Sequence, residues 1–168
     1  MKKHLVLCAA ILLSTVGAFC QAPEEKFEQI RSRADSEKNR DLELLKAFKS
    51  GEISNRELGS LKSFTLNFNK GLSVFCSDFN YSQYWDYANK LYLHSLDFDD
   101  LSNNSGLHTL VRFMRECNNL ETLCFDLTYG VSSYFFSNTL LVLGTHTPTI
   151  RNLTNLRSVR IRAFNHMF

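Results

Sequence analysis

The side chains able to do chemistry are few in this sequence, and their spacing does not gather them. His94, His108 and His146 stand far apart, with no pair at the spacing that sets two imidazoles on one helical face as metal ligands. There is no Gly-rich phosphate loop, no G-x-S-x-G elbow, no C-x-x-C and no H-E-x-x-H. Asp97, Asp99 and Asp100 form the one small acidic cluster. Asp97 and Asp99 would share a strand face and, with Asn103 or Asn104, could meet a hard cation, but calcium-loop spacing and a glycine at the bend are missing. Cys124 would stand outward on a strand as a candidate thiol; simple burial or a disulfide to Cys76 competes with reactivity. The expectation is no catalytic residue, no metal centre, no cofactor and a protein that is not an enzyme. Thr145 to Pro148 reads as a polar loop, and the aromatics between Phe75 and Tyr92 read as core before they read as a binding surface.

The elements that carry these residues begin with an export signal. Met1, Lys2 and Lys3 make a positive start, and Leu5 to Val16 is an uncharged apolar run, shorter than the about 20 residues a bilayer span needs. Small residues follow, so cleavage after Cys20 or Ala22 fits; a lipidated Cys20 is disfavoured by the bulk of Phe19. This predicts a signal peptide over 1–22 and a secreted or extracytoplasmic product, periplasmic or on the cell surface, with no membrane span after cleavage. A formal net charge of +2 makes no electrostatic case for nucleic acid or an anionic membrane. Seven Gly and two Pro argue against disorder and against a turn-rich sandwich. Cys76, Cys117 and Cys124 remain after cleavage, an odd number that allows one intrachain disulfide at most. Asn80, Asn103 and Asn152 lie in glycosylation sequons, which act only in a eukaryotic secretory route.

Residues 23–60 read as a charged helical lead or N-terminal cap. Phe27, Ile30 and Ala34 fall at helical spacing, as do Leu45 and Phe48. Asp41 is placed to cap the run that follows it, and Gly51 to stop it. Ser54 and Glu57 have capping-box spacing ahead of Leu58 and Leu61. With charges of both signs, the first part reads as a solvated helix or, alternatively, a coiled-coil arm.

From Leu61 onward short segments repeat. Leu93 to Phe98, Leu120 to Phe125 and Leu156 to Ile161 share the form L-x-x-(L/V)-x-apolar, and Leu61 to Leu66 is a fainter copy. Alternation from Leu123 to Leu127 predicts a strand with one buried face, and Val159, Ile161 and Ala163 should turn inward while Ser158, Arg160 and Arg162 turn outward. Leu107, Leu110, Val111 and Met114 form one apolar helical stripe between strands, and Pro148 could open a shorter turn. A strand, a helix and a parallel strand cannot bury their apolar face alone; stacked copies bury it together.

On the run Cys117 to Phe125, CNNLETLCF, the chain resembles the leucine-rich repeat family, in its cysteine-containing type, over about Leu61 to Ala163. Cys117 matches the position that packs at the end of the convex helix. The sequence departs from the pattern where Leu127-Thr128-Tyr129 stands in place of a turn-closing asparagine, and in the long interval before the last copy. The resemblance implies an α/β fold: a short leucine-rich-repeat-like solenoid of parallel strands plus helices over 61–168, preceded by the helical segment.

Stacked copies would align outward residues in columns. One is Thr65, Asp97, Cys124, Arg160; the next is Asn67, Asp99, Asp126, Arg162, with Asp99, Asp126 and Arg162 about 5 Å apart on successive strands. The expected role is recognition of a protein partner outside the cytoplasm on this concave face, through Asp97, Asp99, Cys124, Asp126, Arg160 and Arg162. A secreted enzyme with an unfamiliar site, a structural or oligomerising module, and a truncated copy of a longer repeat protein, since no polar cap follows Ala163, are the alternatives.

Overall fold

The computed structural model describes residues 22–78, 105–128, 139 and 153–163. The signal peptide but for its last residue, the copy Leu93 to Phe98, Asp97, Asp99, Asp100, His94, His146, the Pro148 turn, the three sequons and most of the aromatic run lie outside them.

The lead folds into three helices. Helix α1 (Pro23–Arg31) starts with Pro at its first position, where the missing N–H costs nothing, and carries Glu24 and Glu25 in its first turn against the helix dipole. A single 3-10 turn, Glu37–Asn39, leads into α2 (Arg40–Lys49). Gly51 ends that helix at φ +80°, a left-handed conformation that favours glycine. The capping box at α3 (Asn55–Leu58) forms in both directions: Ser54 Oγ accepts from Glu57 N, and Glu57 Oε2 accepts from Ser54 N at 2.8 Å. Two expectations fail here. Helix α1 ends at Arg31, so Ala34 is not on it. Asp41 caps nothing: the N-cap is Asn39, and Asp41 is the second residue of the helix, its carboxylate turned to other partners.

Neither a solvated linker nor a coiled-coil arm describes this lead. Phe27, Ile30, Leu44, Leu45 and Phe48 are buried in one cluster with Phe64 and Phe113. Phe48 meets the Phe113 ring edge-on at 5.7 Å, and Phe113 stacks obliquely on Phe64 at 4.8 Å. Of the charges of α1, Lys26 pairs with Glu57 of α3, Glu28 with Arg31 and with Arg40 of α2, and Arg31 also with Asp41.

Strand β1 (Ser63–Asn67), helix α4 (Lys70–Phe75), helix α5 (Gly106–Glu116), strand β2 (Thr122–Asp126) and strand β3 (Ser158–Arg162) follow. The strands form a parallel sheet in the order β1-β2-β3. Helix α5 buries the expected stripe, Leu107, Leu110, Val111 and Met114, together with Phe113. Its start is held close: Ser105 Oγ accepts from His108 N, and Asp78 Oδ1 accepts from Gly106 N at 2.8 Å. Cys117 is fully buried at its C-terminal end.

The register aligns three of the four copies. Leu66, Phe125 and Ile161 pair across the sheet, as do Phe64, Leu123 and Val159. The same hydrogen bonds recur at each step. Glu121 N and Thr122 N both donate to Lys62 O, and Arg157 N and Ser158 N both donate to Glu121 O. Phe68 N donates to Asp126 O, and Leu127 N to Arg162 O. Ahead of the strands, Asn119 Nδ2 donates to Gly59 O, and Asn155 Nδ2 to Asn118 O and to Asn119 Oδ1. Gly59 and Asn118 occupy equivalent places, so this asparagine ladder repeats as the strands do.

Candidate functional site

The polar face of the sheet meets the helical lead in a cleft of about 300 Å³ lined by Thr65, Asn67, Asp126 and Arg162 from the strands and by charged residues of α1, the 3-10 turn and α2. The columns appear with their expected members from three strands. Thr65, Cys124 and Arg160 are paired in register, and so are Asn67, Asp126 and Arg162. Asp97 and Asp99 lie outside the described residues. Both edges of β2 are taken, one by β1 and one by β3, and the strand neighbours of Asp126 are Asn67 and Arg162.

Two expected surface residues are interior. Cys124 is 4% exposed and Asp126 is 5% exposed, although both stand on the polar side. As the central strand, β2 has neighbours on both sides, and the outward alternation predicted for it is lost. Burial pushes the Cys124 thiol up, with Asp126 raising it further against the pull of Arg162 and Arg160. The thiol is thereby less nucleophilic than an exposed one. Cys76, Cys117 and Cys124 are all unpaired with one another, and burial pushes Cys76 up to about 12. Asp126 closes the turn that the missing asparagine would have closed: its Oδ1 accepts from Thr128 N at 3.0 Å and from Thr128 Oγ1 at 2.6 Å. Its other oxygen is 3.8 Å from Arg162 Nη1. Arg160 and Arg162 are exposed, as expected.

The opposite wall is a chain of ion pairs that sequence reasoning did not foresee. Glu37 pairs with Arg40 at 3.1 Å, Arg40 with Glu28 at 2.6 Å, Glu28 with Arg31 at 2.8 Å, and Arg31 with Asp41 at 2.6 Å. The last pair ends on β1. Asp41 Oδ2 accepts from Thr65 N, and Arg31 Nη2 donates to Ser63 O. Burial pushes the Asp41 carboxyl up, opposed by the adjacent guanidinium of Arg31 and the Thr65 N–H. The i, i+3 spacings Glu28–Arg31 and Glu37–Arg40 were the available signal; nothing local joins Asp41 to a strand 24 residues away.

Acids and bases thus neutralise one another across most of this wall; on the strand side Arg160 and Arg162 are exposed, Arg162 within 3.8 Å of Asp126. Among the described residues no group of three or more His, Cys, Asp or Glu side chains is arranged to hold a metal, and no helix is long and apolar enough to cross a membrane. No protein-family model matches the chain, and no curated protein or solved structure is significantly similar to it.

Proposed function

We propose that this chain is an exported protein-recognition module: a short leucine-rich-repeat-like stack whose lead helices form its N-terminal cap and whose polar strand face receives a protein partner. The observation that carries the reading is the recurrence of one bonding pattern from strand to strand, in register with the sequence copies. A repeated scaffold holds its strand-face side chains in fixed columns, which suits recognition of an extended surface. Here the columns end in Arg160 and Arg162 beside a neutralised cleft, so the partner's complementary charge is acidic. Exposed charges of this kind set encounter rate and specificity more than affinity.

The test immobilises the protein and compares what wild type, an Arg40→Glu/Arg162→Glu variant and a Lys70→Glu control retain from extracellular fluid or surface extracts. A partner kept by wild type and control but lost by the cleft variant supports the reading. Equal retention by all three moves recognition to another face.

A further inference from the structure

The outer edge of β3 shares Arg162 with the cleft but also presents backbone groups and apolar side chains that the cleft does not contain. Ser158 N and Arg162 O are spent on β2. Along a strand the hydrogen-bonding groups alternate sides, so the N–H and C=O of Val159 and Ile161 point to the outer edge. Among the described residues no strand pairs with that edge. Val159 is 57% and Ile161 64% exposed, the large apolar side chains left open on the face that Phe64 and Leu66 bury in β1. On the other face stand Arg160 and Arg162, both exposed.

We infer that β3 receives an extended segment of a partner protein in which acidic and apolar residues alternate, added as a further strand. The backbone supplies the unspent edge groups, Val159 and Ile161 receive the apolar residues, and Arg160 and Arg162 receive the acids, since cross-strand neighbours lie on the same face. A second copy of this chain is the poorer occupant. Antiparallel pairing of two β3 edges sets arginine opposite arginine whether the pair is centred on Arg160 or on Ile161, and like charges directly opposite are destabilising. The inference does not need the cleft to bind anything, because Val159 and Ile161 point away from it.

The experiment titrates the full-chain protein with a labelled synthetic peptide of alternating leucine and aspartate, and with its leucine–lysine counterpart, by fluorescence anisotropy. The acidic peptide should bind saturably, the basic one should not. Val159→Asp/Ile161→Asp should weaken the acidic peptide by at least about tenfold. Arg160→Glu/Arg162→Glu should do the same and transfer binding to the lysine peptide. Both pairs are exposed, so circular dichroism should show wild-type folds, and hydrogen exchange at 158–162 should slow when the acidic peptide is bound. Binding that survives Val159→Asp/Ile161→Asp, no saturable binding at all, or a dimer in light scattering that those substitutions dissolve would each overturn the inference. Loss of the extract partner on Arg40→Glu with intact peptide binding would separate the cleft from this edge.

Discussion

The two edges of the sheet solve the same problem differently. At β1 the outward backbone groups are claimed from the side: Thr65 N by Asp41 and Ser63 O by Arg31, with the guanidinium and carboxylate also bonded to each other. Helices α1 and α2 then bury their apolar faces beside the strand. At β3 the corresponding groups meet no strand among the described residues, and the apolar side chains that should be core are largely open. A sheet edge is a template for another chain unless it is blocked. The β1 edge is blocked by a buried ion pair, and the β3 edge carries only arginines, which repel a like edge and attract an acidic one. The sheet therefore has a direction: closed where the lead joins it, open at the far strand.

The strongest way to break this comparison is at Asp41. Asp41→Ala leaves the largely buried Arg31 guanidinium with Glu28 alone as its carboxylate and strips Thr65 N of its acceptor. Removing one partner of a buried pair costs about 3–5 kcal/mol; because Glu28 still pairs with Arg31, denaturant unfolding should show a loss toward the lower end of that range. Arg160→Ala on the open edge should stay within about 0.5 kcal/mol, as surface substitutions do. Equal losses at the two sites would mean that the edges do not differ as described.

Next in size is Gly106→Ala. A Cβ there would lie 1.7 Å from Phe75 O, a backbone atom that cannot swing aside. The start of α5 would have to move off α4, at about 1–3 kcal/mol by analogy with overpacked cores. The melting temperature should fall, while peptide binding at β3 should persist, because the open edge does not depend on that contact.

What was legible in the sequence follows the same line. Period-two alternation and the leucine at the head of each copy located all three described strands, and Leu61, Leu120 and Leu156 stand at the same offset from the paired residues, because strand faces are written in neighbouring residues. Which strands are adjacent was not legible, for a physical reason. Similarity of segments does not state which strands are adjacent, and β1 pairs with β2 directly. The burial of Cys124 and Asp126 was also hidden, since alternation assumes one solvated face and β2 is covered on both. The β1 edge was least legible of all. Asp41 looks like a helix cap by local spacing, and only the fold turns it toward Thr65.

A smaller effect should come from the asparagine ladder, which spans all three strand approaches. Asn119→Ala removes the bond to Gly59 O and the acceptor for one Asn155 bond, while Asn155→Ala removes the bonds to Asn118 O and to Asn119 Oδ1. A hydrogen bond contributes about 0.5–1.5 kcal/mol net and each substitution removes two, so a smaller cost for Asn155→Ala than for Asn119→Ala is what a looser far strand should give. If Asn155→Ala costs as much, the far strand is held as firmly as the near one and the asymmetry of the sheet is weaker than its two edges suggest.

The smallest effect is a pH response confined to the closed side. Glu57 accepts from Lys26 Nζ at 2.6 Å and from Ser54 N and Oγ, which ties α3 to α1. The Lys26 ammonium first, then the Ser54 backbone and hydroxyl, pull its carboxyl from the ordinary 4.5 down to about 2. A folded value below the unfolded one gives stability that is fully present above pH 4.5 and is lost as pH falls from there toward 2. The side chain is 29% exposed, so screening keeps the contribution in the surface-pair range, about 1 kcal/mol or less. Stability measured from pH 5 to 2 should decline in wild type with a slope that Glu57→Gln reduces. Hydrogen exchange over the same window should quicken at α1 and α3 before it changes at β3, since the group that titrates joins α3 to α1 and its bonds to Lys26 and Ser54 reach neither Val159 nor Ile161.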